Sequence, residues 1–219
     1  MEIGFNILGN GPILFIGCHP DDIELGCGGL ISHIKQKSKI YSLTLSKNQL
    51  NSKNPNLISE HYASLQSLGI KKNHILISDF KTREFSNSRQ EICDFLWKIK
   101  QKLKPSCVFI NSSDLHQDHQ VCNMECQRTF RDISLIGYNV ERSTLLPSNT
   151  FFVKLSKQEI SKKVKALKFY KTYKNKNYFL QRKVFAQAEA VGIKIESQYS
   201  EAYNIISIII WFKIYPNLS

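Results

Sequence analysis

Three features of the sequence predict a single α/β domain with a mainly parallel sheet and helices on both faces. Short continuous apolar runs suit strands buried on both sides. Amphipathic helical segments alternate with them, the pattern of βαβ crossovers. No linker or internal repeat divides residues 1–219, and 42% apolar content over that length supports one sizeable core.

The elements follow in order. Pro12 to Gly17 is an apolar run that reads as the first strand, and it ends in His19-Pro20-Asp21-Asp22. A helix is predicted from Glu24 to about Lys37, with Leu25, Ile31 and Ile34 apolar, then a strand over Ile40 to Leu45. The Asn-, Ser- and Lys-rich stretch from Lys47 to Asn56 reads as a loop. A helix over Leu57 to Leu68 stops at Gly69, and His74 to Ile77 is a third strand. Ile92, Phe95, Leu96, Ile99 and Leu103 fall at helical spacing in a segment from Ser88, which Pro105 closes. Cys107 to Ile110 is a fourth strand, followed by a polar loop from Asn111 to His119 and a helix from about Val121. The second half is expected to hold a strand near Thr150 to Val153, helices over Lys157 to Tyr170 and Phe179 to Val191, and a last strand over Tyr203 to Ile210.

The charge balance is basic, with 30 Lys+Arg against 18 Asp+Glu and a net charge of +12. Much of the excess lies between Lys154 and Lys183, where Glu159 is the sole acid. Such a segment is either a solvated helix face or a patch facing phosphate. No nucleic-acid-binding motif accompanies it, so no nucleic-acid partner is expected. Loose contact with anionic lipid stays open. The six cysteines are scattered rather than framed as disulfides, and no signal peptide precedes the first strand; both favour a cytoplasmic location. Cys122 and Cys126, four apart on one predicted helix, read as packing residues. The longest apolar run, Ile205 to Phe212, is far short of the roughly 20 residues that span a bilayer.

The two polar clusters carry the chemistry. His19-Pro20-Asp21-Asp22 and His116-Gln117-Asp118-His119 each follow an apolar strand, and in open α/β sheets the carboxyl ends of strands line the ligand crevice. If the first and fourth strands are neighbours, three histidines and three aspartates converge. Imidazole and carboxylate suit zinc, and three protein ligands with one open position form a catalytic arrangement. Two histidines and one carboxylate also describe an iron(II) site. Of two adjacent carboxylates, one can bind metal while the other takes a proton from water, as hydrolysis of an amide requires. A third histidine, oriented by a carboxylate, suits an oxyanion. Residue types alone do not choose between Asp21 and Asp22, and Asp22 could equally cap the helix that follows.

His19-Pro20-Asp21-Asp22-Ile23-Glu24-Leu25-Gly26-Cys27-Gly28-Gly29 resembles the opening signature of the PIG-L/LmbE-like N-deacetylases, and His116-Gln117-Asp118-His119 resembles their His-x-Asp-His signature. Glu60 with Leu68-Gly69, and Tyr199-Ser200-Glu201-Ala202-Tyr203, are weaker echoes, so the resemblance spans about residues 12 to 204. It implies a Rossmann-like fold and zinc-dependent removal of an acetyl group from an N-acetylated amino sugar. His19, Asp22 and His119 would hold the zinc. Asp21 would be the general base, His116 would stabilise the oxyanion or protonate the leaving amine, and Asp118 would orient His116. Gly26, Gly28 and Gly29 would let the chain pass close to the site and pack against the sheet. The resemblance stops at one position: many relatives have arginine two residues before the glutamate matching Glu60, where this chain has Ile58. Cys18 stands where relatives often carry a small residue, and reads as a small buried side chain. The basic second half suggests a phosphate-bearing sugar, in a sugar nucleotide or glycolipid. The competing readings are a hydrolase of another amide, and a non-catalytic protein binding a phosphorylated ligand or nucleic acid through its lysines.

Overall fold

The computed structural model describes residues 8–209 apart from 37, 51–54 and 113. In chain order the elements are β1 (Ile13–Gly17), α1 (Asp22–Ile34), β2 (Ile40–Thr44), α2 (Leu57–Ser67), β3 (Ile75–Ile77), α3 (Arg89–Leu103), β4 (Cys107–Asn111), α4 (Gln117–Thr129), β5 (Ser134–Tyr138), β6 (Phe151–Leu155), α5 (Lys157–Leu167), α6 (Gln181–Ile193) and β7 (Tyr199–Ser207). One seven-stranded sheet runs β3-β2-β1-β4-β5-β7-β6. Its first five strands are parallel, and β7 is antiparallel to both β5 and β6. The expected α/β architecture therefore holds, with an antiparallel pair added at one edge.

Strand β1 is buried throughout because it packs on both faces. Ile13 and Phe15 join Ile23, Cys27 and Ile31 of α1 in one core, while Leu14 and Ile16 join Leu96 of α3 and Cys122 and Cys126 of α4 in the other. Phe15 stacks on Phe109 of β4 with ring centroids 4.7 Å apart. Each such large apolar side chain contributes about 1.5–3 kcal/mol relative to exposure. A third core, of Leu155, Val164, Leu167 and Val184, seats α5 and α6 beside the antiparallel edge.

Four sequence expectations are corrected. Strand β5 is a central element that the pattern analysis omits; it is short, fully buried and contains Gly137, so it shows no alternation to read. Helix α4 starts at Gln117 rather than Val121, because the His116 side chain caps it by accepting the Asp118 N–H. Strand β7 begins at Tyr199, four residues ahead of the expected start, while Ile210, its expected end, lies outside the described residues, as does part of the Ile205 to Phe212 run. The tail of the predicted basic helix, beyond Leu167, is irregular chain with short 3-10 turns over Lys171–Tyr173 and Asn177–Phe179. Among the described residues no helix is long and apolar enough to cross a membrane.

The glycines after the first cluster serve packing. A Cβ on Gly26 would lie 2.1 Å from the Tyr138 ring, and one on Gly29 would lie 2.5 Å from Leu155 Cδ1. Glu201, within the Tyr-x-Glu-x-Tyr echo, accepts the Gly29 and Leu30 N–H groups at 2.9 and 2.8 Å and pairs with buried Lys163 at 2.7 Å. That echo ties β7 to α1, and α1 carries the first cluster.

Candidate active site

Strands β1 and β4 are direct neighbours, so the condition for convergence is met. The strand order turns back at this pair, the switch point where open α/β sheets bind ligands. The first cluster leaves the end of β1 and enters α1; the second leaves β4 and enters α4.

Asp21 adopts φ 104, a left-handed conformation rare for a non-glycine residue. Strain of this kind persists where surrounding structure fixes it, as at functional sites. Asp21 makes no side-chain cap; neither does Asp22, whose Oδ2 turns back to accept the N–H groups of Cys18 and His19 at 3.0 and 2.9 Å. The same oxygen lies 3.7 Å from His19 Nδ1 and 3.3 Å from His119 Nε2.

Both imidazoles are held from behind. His19 Nε2 bonds Asp118 Oδ2 at 2.9 Å, and His119 Nδ1 bonds Asp114 Oδ2 at 2.7 Å. A carboxylate on one ring nitrogen holds the proton of the neutral ring there, so that the other nitrogen is the one that offers a lone pair once the ring is neutral. Those freed nitrogens are the two that face Asp22. Asp118 thus orients His19; it meets His116 only through its backbone N–H, which donates to His116 Nδ1 at 3.2 Å. His116 Nε2 is left to carry the proton of the neutral ring.

The electrostatics follow from this crowding. Burial alone would lower the His119 imidazolium, but the Asp22 charge and the hydrogen bond to Asp114 hold it up at about 10. Burial alone would raise Asp22; His119 and then His19 hold it well below the usual carboxylate range instead. Asp21 is pushed well up by burial, against the pull of Lys176 and with help from Asp22 and Glu24. His116 is lowered by burial and by the neighbouring His119 and His19.

The clusters open into a cavity of about 500 Å³, within the range of small-molecule sites. His19, Asp21, Asp22, His116 and His119 line it together with Arg83, Arg142, Lys176, Tyr173 and Tyr178.

Comparison with known proteins places this geometry. A model of the PIG-L family, described as GlcNAc-PI de-N-acetylase, matches residues 14–128, just over half of the chain and both clusters. The chain belongs to the PIG-L family. It is 30% identical over 172 residues to the uncharacterized deacetylase YaiS of Escherichia coli K12, covering 73% of this chain and 90% of that protein. In fold it resembles the conserved protein TT1542 from Thermus thermophilus, with TM-score 0.76, 20% identity, and 94% and 99% of the two chains covered. It equally resembles N,N'-diacetylchitobiose deacetylase from Pyrococcus horikoshii, with TM-score 0.76, 18% identity, and 90% and 84% covered. At these identities the structures speak for the fold alone.

The donor set of this PIG-L family chain fits a divalent metal. His119 Nε2 is buried with no hydrogen-bond partner; its 3.3 Å approach to Asp22 lacks the alignment of one. Ring nitrogens of His19, His116 and His119 lie within 4.8 Å of one another, as do the donor atoms of Cys18, Asp22 and His119. Cys18 is the poorer donor, because burial first, then Cys122 and the nearby aspartates, keep its thiol protonated. Its sulfur instead approaches Asn111 Oδ1 and the Asp118 carbonyl at 3.5 Å. Cys122 and Cys126 sit in the core with sulfurs 3.9 Å apart.

Sequence reasoning missed Asp114, which holds His119, accepts from Ser143 Oγ at 2.5 Å and takes the His116 N–H at 2.8 Å. It also missed Arg83, Arg142 and the two tyrosines. Lys176 is one of many lysines in the basic segment between Lys154 and Lys183. The rest of that basic segment divides: Lys163 is buried on Glu201, while Lys157, Lys165, Lys171 and Lys174 are exposed. Glu60 receives the Thr172 N–H and lies outside the cavity lining.

Proposed function

We propose that the protein is a zinc-dependent hydrolase that removes the N-acetyl group from an N-acetylated amino sugar, with His19, Asp22 and His119 as the metal ligands. The observation that carries this reading is the convergence of His19 Nδ1, Asp22 Oδ2 and His119 Nε2, with both imidazoles backed by carboxylates. Membership of the PIG-L family supports the reaction class.

Zinc in this position would supply Lewis acidity toward the acetamide carbonyl and lower the pKa of water at the site. Asp21 takes the proton from the attacking water. Its carboxylate is the more basic for being buried, which suits it to the transfer. His116 donates from Nε2 to the carbonyl oxygen as charge develops there, and its neutral state follows from the Asp118 N–H on Nδ1. The proton on Asp21 then passes to the departing nitrogen, so that water and acetamide become acetate and free amine. Asp118 and Asp114 hold His19 and His119 in the orientation that keeps their free nitrogens toward Asp22.

Acetate release from a panel of N-acetylated amino sugars, before and after chelation and zinc readdition, tests the reading. Release that chelation abolishes and zinc restores is expected. Release unaffected by thorough chelation contradicts it. Restoration by iron(II) but not zinc would correct the ion, because the same donors suit iron(II).

A further inference from the structure

The cavity has a cationic wall that cleavage of an acetamide does not require. Lys176 Nζ lies 3.3 Å from the Tyr173 ring centroid and 5.4 Å from that of Tyr178. Arg142 Cζ lies 5.8 Å from the same Tyr178 centroid, so one ring sits close to two cations. The platform is fixed: the Tyr173 hydroxyl accepts from Asn48 Nδ2 at 2.7 Å, and its ring stacks on buried Tyr170 with centroids 5.6 Å apart. Lys176 is therefore held into the cavity, with its side chain only 30% exposed.

The acids of the cavity do not match these cations. Lys176 has Asp21 Oδ2 at 3.7 Å. Asp22 is already engaged by two N–H groups and the imidazoles. Among the described residues, no carboxylate lies within ion-pair distance of Arg142 or of Arg83. Three cations thus line the cavity with two acids, and a metal would add to the surplus. A neutral sugar can accept hydrogen bonds from these groups but leaves their charge uncompensated. A phosphate or carboxylate would compensate it, through the fork of a guanidinium and the point charge of an ammonium.

We propose that Arg142 and Lys176, set against Tyr173 and Tyr178, form a subsite for a negatively charged substituent on the substrate, and that this subsite selects anionic over uncharged N-acetylated amino sugars. The proposal rests on the deacetylase reading for where the acetamide sits; the binding of the anion does not depend on turnover. Arg142 is the cleaner probe, because Lys176 also faces Asp21.

Calorimetric titration of the zinc-loaded protein tests this with three ligands: the methyl glycoside of N-acetylglucosamine, its 1-phosphate, and its carboxymethyl glycoside. The wild type is expected to bind at least one anionic sugar about tenfold or more tighter than the methyl glycoside. The tighter of the two anions names the substituent. Arg142→Gln and Lys176→Gln should each cut that preference by about tenfold, and Lys165→Gln, outside this cavity, should leave it intact. Arg142 is exposed, so its replacement carries the test even if Lys176→Gln fails to fold. Equal binding of charged and uncharged sugars, or a preference unchanged in Arg142→Gln, overturns the subsite. Acetate release is followed on the same sugars. Release with no anion preference removes the subsite and leaves the deacetylase. Anion-dependent binding without release leaves the subsite and removes the deacetylase.

Discussion

Replacing Asp114 by alanine should weaken metal binding without removing a metal ligand. Its Oδ2 accepts from His119 Nδ1 at 2.7 Å and from Ser143 Oγ at 2.5 Å, and its Oδ1 accepts the His116 N–H at 2.8 Å. Without it the His119 ring loses the contact that fixes its tautomer and aim. Loss of such a partner typically lowers metal affinity 10–100-fold, about 1.4–2.7 kcal/mol. A second effect opposes the first. Asp114 helps hold a proton on His119 up to about 10, and displacing that proton at pH 7 costs the metal roughly 4 kcal/mol. Removing the carboxylate lowers this cost, so the net loss should be smaller near pH 7 and larger at higher pH. Competition against a chromophoric chelator at several pH values measures both. Stability should also fall, by about 1–3 kcal/mol, for the buried N–H left without a partner. Wild-type affinity in Asp114→Ala across the pH range would refute the reasoning, because His119 would then not be an oriented ligand.

Three further outcomes follow from the structure. In the metal-free protein His119 stays protonated up to about 10, so metal binding below that pH must release its proton, and apparent affinity should rise about tenfold per pH unit; a flat profile between about pH 6 and 8 contradicts this. The raised value also stabilises the metal-free fold, a contribution fully present below about 6.5 and lost as pH rises through about 10, which denaturant titrations against pH would show. Glu201→Gln should destabilise the protein by about 3–5 kcal/mol in urea unfolding, because it leaves the Lys163 ammonium buried without its counter-charge; a change under about 1 kcal/mol would contradict that role.

What the sequence makes legible here depends on whether a signal is local. The strand β1 and its neighbour β4 are continuous apolar runs, and the clusters after them combine residue types that seldom meet by chance. The neighbourhood of β1 and β4, on which convergence depends, is a property of the sheet order. Strand β5 escapes because a short strand buried on both faces has no period to detect. Asp114 escapes for a different reason. It is one aspartate in a polar loop, and it matters only because the turn into α4 brings its carboxylate onto His119. Asp118 has the expected identity but a different partner, since its position in the first turn of α4 directs its side chain to His19. Lys176 is one lysine in a long basic segment, distinguished from the others only by the irregular chain after α5, which carries it over Tyr173 and against Asp21.

The most direct test of the account is zinc content and acetate release, measured together for the wild type and Asp21→Asn. Asp21 is not among the three proposed ligands, so both proteins should hold near-stoichiometric zinc. The wild type should release acetate from an N-acetylated amino sugar, and the variant should lose that release by at least about a hundredfold. Zinc bound in both with equal release would contradict the role of Asp21, and absence of stoichiometric zinc from the wild type would contradict the site itself.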